Sequence, residues 1–128
     1  MAVCGLYHPD TGRLRWARAG HLPPVLLRDR HAETLPQLGG ILLGAIDHAD
    51  YEEGEIRLQS GDTLVMYTDG LIERRDQSLQ ACLNGLVTLT EKASAAIGDG
   101  LEAHLDHLLR YSGADTDDDT CLVGIMIR

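Results

Sequence analysis

The residues of this chain best suited to chemistry are acidic, and they fall into two groups far apart in sequence. Asp69 lies in Thr68-Asp69-Gly70-Leu71, directly after the apolar run Thr63-Leu64-Val65-Met66-Tyr67. A sharp turn assisted by Gly70 would set its carboxylate at the mouth of a buried strand, aimed into a site. The second group, Asp115-Thr116-Asp117-Asp118-Asp119, sits just before the last apolar run, Cys121 to Ile127. Two strand-end carboxylate clusters supply the oxygen donors that a hard cation such as Mg²⁺ or Mn²⁺ takes.

Each group has a competing reading. Asp-Gly is a strong hairpin signal, yet Leu71-Ile72-Glu73-Arg74-Arg75-Asp76 is a polar and short return strand. For Asp69, both the turn and the functional reading stand at this point. The acidic run reads most simply as a solvated loop. It opens like a calcium loop but has Thr120 where Gly is required and Met126 where a bidentate Glu belongs, so an EF-hand is excluded. A phospho-accepting receiver domain is excluded too, because the acidic cluster is C-terminal and the single lysine, Lys92, falls inside a helix. His104 and His107 share a helix face but have no third ligand at hand, and surface or boundary positions are expected for them. His21, in Ala19-Gly20-His21 ahead of Pro23-Pro24, is expected to pack or hydrogen-bond within a rigid loop. The glycines Gly39, Gly40 and Gly44 are not followed by the lysine of a phosphate cradle.

These side chains belong to a chain of 128 residues, the length of one domain. A net charge of −9 leaves no basic stripe for nucleic acid. No apolar stretch approaches the roughly 20 residues of a membrane span, and no signal peptide opens the chain. Cys4, Cys82 and Cys121 are odd in number and widely spaced. They read as reduced, buried core thiols of a cytoplasmic protein rather than a disulfide frame or zinc site.

The elements that must position the carboxylates are mostly strands. Ala2 to Tyr7 and the alternating Arg13 to Ala19 form a hairpin across Pro9-Asp10-Thr11-Gly12, with Leu14 and Trp16 facing the core. Val25 to Arg28, Glu55 to Leu58 and Thr63 to Thr68 read as further strands, with a turn at Asp29-Arg30-His31. Leu79, Cys82, Leu83, Leu86 and Leu89 or Thr90 recur at helical spacing and predict a helix ending near Ala96. Asp99 with Glu102 resembles a capping box for a second helix, whose inner face carries Leu101, Leu105, Leu108 and Leu109. Strands, two helices and one returning strand make an α+β layout with a mostly antiparallel sheet.

The sequence resembles a known family in four blocks, taken in order. They are Thr11-Gly12-Arg13-Leu14-Arg15-Trp16-Ala17 through Gly20-His21 and Pro23-Pro24; Leu43-Gly44; Gly61-Asp62-Thr63 through Thr68-Asp69-Gly70-Leu71-Ile72-Glu73; and Asp118-Asp119 ahead of the final strand. Together they are similar to the bacterial PPM-type (type 2C-like) serine/threonine phosphatases, in the SpoIIE-like branch. The resemblance implies an αββα sandwich of antiparallel sheets flanked by helices, with a dinuclear Mn²⁺ or Mg²⁺ centre at one edge. It implies Asp69 as one metal ligand and Asp118 as another, with Asp119 beside it. The family pattern there ends Asp-Asp-apolar-Thr, against Asp118-Asp119-Thr120-Cys121 here, so the choice among Asp117, Asp118 and Asp119 stays open.

The family's Asp-x-x-Gly-His-Gly block, whose Asp bridges both metals, has no counterpart in this sequence. Residues 1–128 are therefore expected to be the C-terminal part of such a domain, incomplete at the N-terminus, with part of the metal site lacking. By the resemblance the substrate is a phosphorylated protein, with an anti-sigma-factor antagonist in a partner-switching pathway the first choice. The alternative is a non-catalytic regulatory or interaction module on a degenerate phosphatase fold. An exposed sheet edge would also allow self-association.

Overall fold

The computed structural model describes residues 1–72, 74, 76–113 and 119–128. The strands are β1 (Ala2–His8), β2 (Arg13–Ala19), β3 (Val25–Arg28), β4 (His31–Thr34), β5 (Gly54–Arg57), β6 (Thr63–Tyr67) and β7 (Leu122–Met126). The helices α1 (Leu79–Lys92) and α2 (Leu101–Tyr111) fall between β6 and β7. One sheet has the order β1-β2-β5 and the other β4-β3-β6-β7, and every pairing within them is antiparallel. The α+β class and the two antiparallel sheets flanked by helices are as expected. Both helices lie on the four-stranded sheet: α1 on β3 and β4, α2 on β7.

Alternation along the strands builds two cores. Leu14 and Trp16 from β2 meet Leu26, Leu64, Leu35 and Leu58 between the sheets. The opposite faces of β3 and β6 send Val25, Leu27, Val65 and Tyr67 against Leu83, Leu86 and Leu108 of the helical layer. These two strands are covered on both sides, which is why their sequences are nearly continuous apolar runs rather than alternating ones. Trp16 lies so close to β5 that a Cβ on Gly54 would sit 2.7 Å from the indole Nε1. Only glycine fits there.

Helix ends follow local chemistry. The Ser78 hydroxyl accepts the Ala81 N–H at 3.1 Å and opens α1. The α-helix stops at Lys92 and tightens into a 3₁₀ segment, Ala93–Asp99, where a single helix to about Ala96 was expected. The N-cap of α2 is Gly100, with φ of +110° and no side chain to offer. The anticipated Asp99–Glu102 capping box placed the cap one residue earlier; the Asp99 side chain on which it rests lies outside the described residues. Among the described residues no helix is long and apolar enough to cross a membrane.

Three further expectations need correction. Strand β4 was not anticipated; it forms because Asp29 and Arg30 both adopt positive φ, 51° and 67°, closing a tight hairpin from β3. Cys82 is buried as expected, but Cys4 and Cys121 are exposed, since each points out of an outermost strand or its approach. His104 is fully buried and not at a boundary, while Leu109 is 42% exposed. The inward stripe of α2 runs through Leu101, His104, Leu105 and Leu108 and passes Leu109 by.

Candidate functional site

Strand β6 carries an aspartate just outside each of its ends, and their surroundings differ. Asp62, at the N-terminal end, is 2% exposed. Its Oδ1 accepts from Arg28 Nε at 2.9 Å, and its Oδ2 accepts from Arg28 Nη2 at 2.5 Å and from the Gln59 N–H at 2.7 Å. Burial by itself would raise the pKa of this carboxyl, but the Arg28 and Gln59 hydrogen bonds outweigh it and hold the value below the ordinary carboxylate range. Arg28 also donates to the Arg57 carbonyl at 2.9 Å, so the pair fastens β3, β5 and β6 together.

At the other end the chain leaves β6 through a short 3₁₀ turn, Asp69–Leu71, closed by the Leu71 N–H on the Thr68 carbonyl at 3.0 Å. The hairpin reading of Asp-Gly is thereby settled in favour of this turn. Asp69 is half-buried, and its Oδ1 is a buried oxygen without a hydrogen-bond partner among the described residues. Its charge, together with burial, raises the pKa of the neighbouring Tyr67 phenol, with burial the larger cause. Tyr67 in turn donates to the Pro23 carbonyl at 2.8 Å. The His21 ring lies 6.2 Å from the Tyr67 ring, and its Nδ1 is 2.7 Å from the Leu22 carbonyl. The Gly20-His21 and Pro23-Pro24 block therefore has the packing role expected of it, buttressing the strand end from which Asp69 departs.

Asp119 arrives at the same end on the neighbouring strand. The β6–β7 ladder runs as far as Tyr67 opposite Leu122. One residue further, the Thr68 N–H donates to the Cys121 carbonyl at 3.0 Å. The Thr68 hydroxyl accepts the Cys121 N–H at 2.9 Å and donates to the Asp119 carbonyl at 3.2 Å. The segments carrying Asp69 and Asp119 are thus joined through one residue, by its backbone N–H and its hydroxyl. Asp119 is exposed. Asp118, with the rest of the acidic run at 115–118, lies outside the described residues.

The donor set fits a hard divalent cation in kind, because a buried carboxylate oxygen lacking any hydrogen bond is unusual unless something else satisfies it. Among the described residues, no group of three or more His, Cys, Asp or Glu side chains is gathered to enclose such an ion. A groove of about 390 Å³ along α1, lined in part by Leu71, Arg74, Cys82 and Lys92, takes in neither Asp69 nor Asp119. Two residues escaped the reading of candidate sites in the sequence. Thr68 was seen only as the end of a strand and the start of the Thr-Asp-Gly turn. Asp62 was seen only as a member of the Gly61-Asp62-Thr63 block; its position opposite an arginine on β3 is a long-range fact that no local pattern signals.

A family model described as Stage II sporulation protein E (SpoIIE) matches residues 1–128. Among solved structures, the chain is similar to the RsbU and RsbW domains of Rv1364c from Mycobacterium tuberculosis, with 26% identity and a TM-score of 0.85, over 98% of this chain and 36% of that one. It is also similar to the phosphatase domain of the cell fate determinant SpoIIE from Bacillus subtilis, in a Mn-presoaked form (15% identity, TM-score 0.65, 98% of this chain and 56% of that one). The PPM Ser-Thr phosphatase MsPP from Mycobacterium smegmatis, in complex with cacodylate, is 19% identical with a TM-score of 0.62, over 95% of this chain and 59% of that one. The last two likenesses are likenesses of fold. The chain spans between 36% and 59% of the length of these three relatives.

Proposed function

We propose that this chain, which belongs to the stage II sporulation protein E (SpoIIE) family, is the C-terminal part of a metal-dependent serine/threonine phosphoprotein phosphatase domain. Asp69, Asp118 and Asp119 are its contribution to a dinuclear Mn²⁺ or Mg²⁺ centre. The observation that carries this reading is the unpartnered, buried Oδ1 of Asp69 at the end of β6, joined through Thr68 to the segment bearing Asp119. When bound, a pair of divalent cations supplies an activated water and offsets charge on the phosphoryl group. The part played by the chain itself is to hold carboxylate oxygens at a fixed place. Burial beside Tyr67 keeps water from competing for Asp69, and the β6–β7 pairing fixes the approach of Asp119.

The substrate in this reading is a phosphorylated protein in the cytoplasm. The relative that contains RsbU and RsbW domains supports a partner-switching pathway of sigma-factor regulation, with an anti-sigma-factor antagonist as the phosphoprotein. Calorimetric titration with Mn²⁺, run beside Asp69→Asn, tests the site: saturable binding that the variant loses is expected. Equal binding by both proteins removes Asp69 from the site. Binding without any phosphatase activity, in this chain or in a longer form of the protein, would instead favour a regulatory module on a degenerate phosphatase fold. The outermost strands β1 and β7 each have one edge unpaired among the described residues, and Val123 and Ile125 are 48% and 41% exposed. Association of copies through these edges belongs to the same proposal, and a constant monomer mass on sedimentation at rising concentration would exclude it.

A further inference from the structure

The carbonyl of Thr68 is the natural acceptor for the Cys121 N–H where β6 and β7 pair, but it is already taken by the Leu71 N–H of the 3₁₀ turn. The hydroxyl stands in for it. Its oxygen accepts from Cys121 at 2.9 Å and its hydrogen goes to the Asp119 carbonyl at 3.2 Å. One side chain thus satisfies the strand pairing that the turn interrupts, and does so on both sides of Thr120. Without the hydroxyl, only the Thr68 N–H on the Cys121 carbonyl, at 3.0 Å, would tie the turn to the β7 approach.

We infer that Thr68 is a positioning residue: its hydroxyl fixes the Asp69 turn against the Asp119 segment, so that the carboxylates of both face one cation site. This rests on the reading of Asp69 as a metal ligand and adds a residue that touches no metal. Groups that orient a ligand from behind commonly change metal affinity by about tenfold or more when removed. A part in stability alone would move melting and leave affinity untouched.

The test uses Thr68→Val, which keeps the shape and removes the hydroxyl, and Thr68→Ser, which restores it. On the metal-free chain, amide exchange at Cys121 should speed up by about tenfold in the valine variant, the loss of one hydrogen bond, and return in the serine variant. Mn²⁺ titration should show about tenfold weaker binding by Thr68→Val, recovery in Thr68→Ser, and a melting temperature little changed in both. Unchanged exchange at Cys121 overturns the inference, as does faster exchange with Mn²⁺ affinity unaltered or no Mn²⁺ binding in the parent chain. Asp69→Asn in the same series separates the two readings. If it weakens binding while Thr68→Val does not, only the role of Thr68 falls; if it leaves binding intact, the site itself has been misplaced.

Discussion

Asp62 and Asp69 bracket one strand, yet Asp62 has both carboxylate oxygens engaged by Arg28 and Gln59, whereas Asp69 keeps Oδ1 buried and unbonded among the described residues. The same residue type therefore serves opposite ends at the two ends of β6. A carboxylate with both oxygens engaged by the protein holds the fold together. One with an unmatched buried oxygen costs stability and is kept for what it binds. Residue type does not tell these two apart, and the more deeply buried of them is the one whose oxygens are bonded; the hydrogen bonds decide.

The largest expected effect breaks the N-terminal side of the comparison. Asp62→Ala should cost about 2–4 kcal/mol in urea unfolding, because it leaves Arg28 partly buried without its partner. A loss below about 0.5 kcal/mol, the size of an ordinary surface change, would mean that the pair does not hold the strands. The pH dependence carries the same sign. The folded carboxyl titrates below its unfolded value of about 3.9, so its stabilisation is complete above that pH and is lost as pH falls through the folded value. Asp62→Asn should flatten the stability profile on that acid limb.

The C-terminal side should respond in the opposite way. Asp69→Asn is expected to leave stability within about 0.5 kcal/mol of the parent, or to raise it, while Mn²⁺ affinity falls by at least about tenfold. A large loss of stability with unchanged affinity would place Asp69 in the same class as Asp62. His104 then serves as a control remote from the strand. Its ring is buried with Nδ1 3.0 Å from the Ala93 carbonyl and Nε2 unpartnered among the described residues, and burial lowers its pKa. The unfolded chain thus takes up the proton first as pH falls below about 6.5, and stability declines from there until the folded ring also protonates. His104→Gln should remove that slope and leave the acid limb of Asp62 in place. The smallest effect is at Gly85, mid-way along α1, where a Cβ would meet nothing within 4 Å. Gly85→Ala should stabilise by about 0.5–1 kcal/mol through helix propensity alone, and touch neither end of β6.

Much of this was legible beforehand. The hairpin of β1 and β2, the strands β3 and β6, both helices and the returning β7 follow from period and turn chemistry, and the order of the four motif blocks carried the family. The misses have local causes. The hairpin into β4 turns on Asp29-Arg30, a pair lacking the glycine that normally announces a turn with positive φ, and the strand itself, His31-Ala32-Glu33-Thr34, is polar. His104 was passed over because a reading by hydropathy follows leucines, and Leu109 drew the stripe one position round the helix. For the candidate site, Asp69 could be found from its own neighbours. Its coupling to Asp119 through the Thr68 hydroxyl depends on the carbonyl of the same residue being occupied elsewhere, a competition that no linear pattern records.

The placement of Trp16 gives the molecule a built-in reporter. It is the only tryptophan, the chain has no phenylalanine, and the indole is wedged between the two sheets against Gly54. Its emission therefore follows the opening of the sandwich, while far-ultraviolet circular dichroism is dominated by α1 and α2 on the outer face. If the two signals fade together on heating, the layers melt as one cooperative unit. If the helical signal fades first, the cover over β3, β6 and β7 peels away before the sheets separate, and the Asp69 turn loosens while the indole still glows.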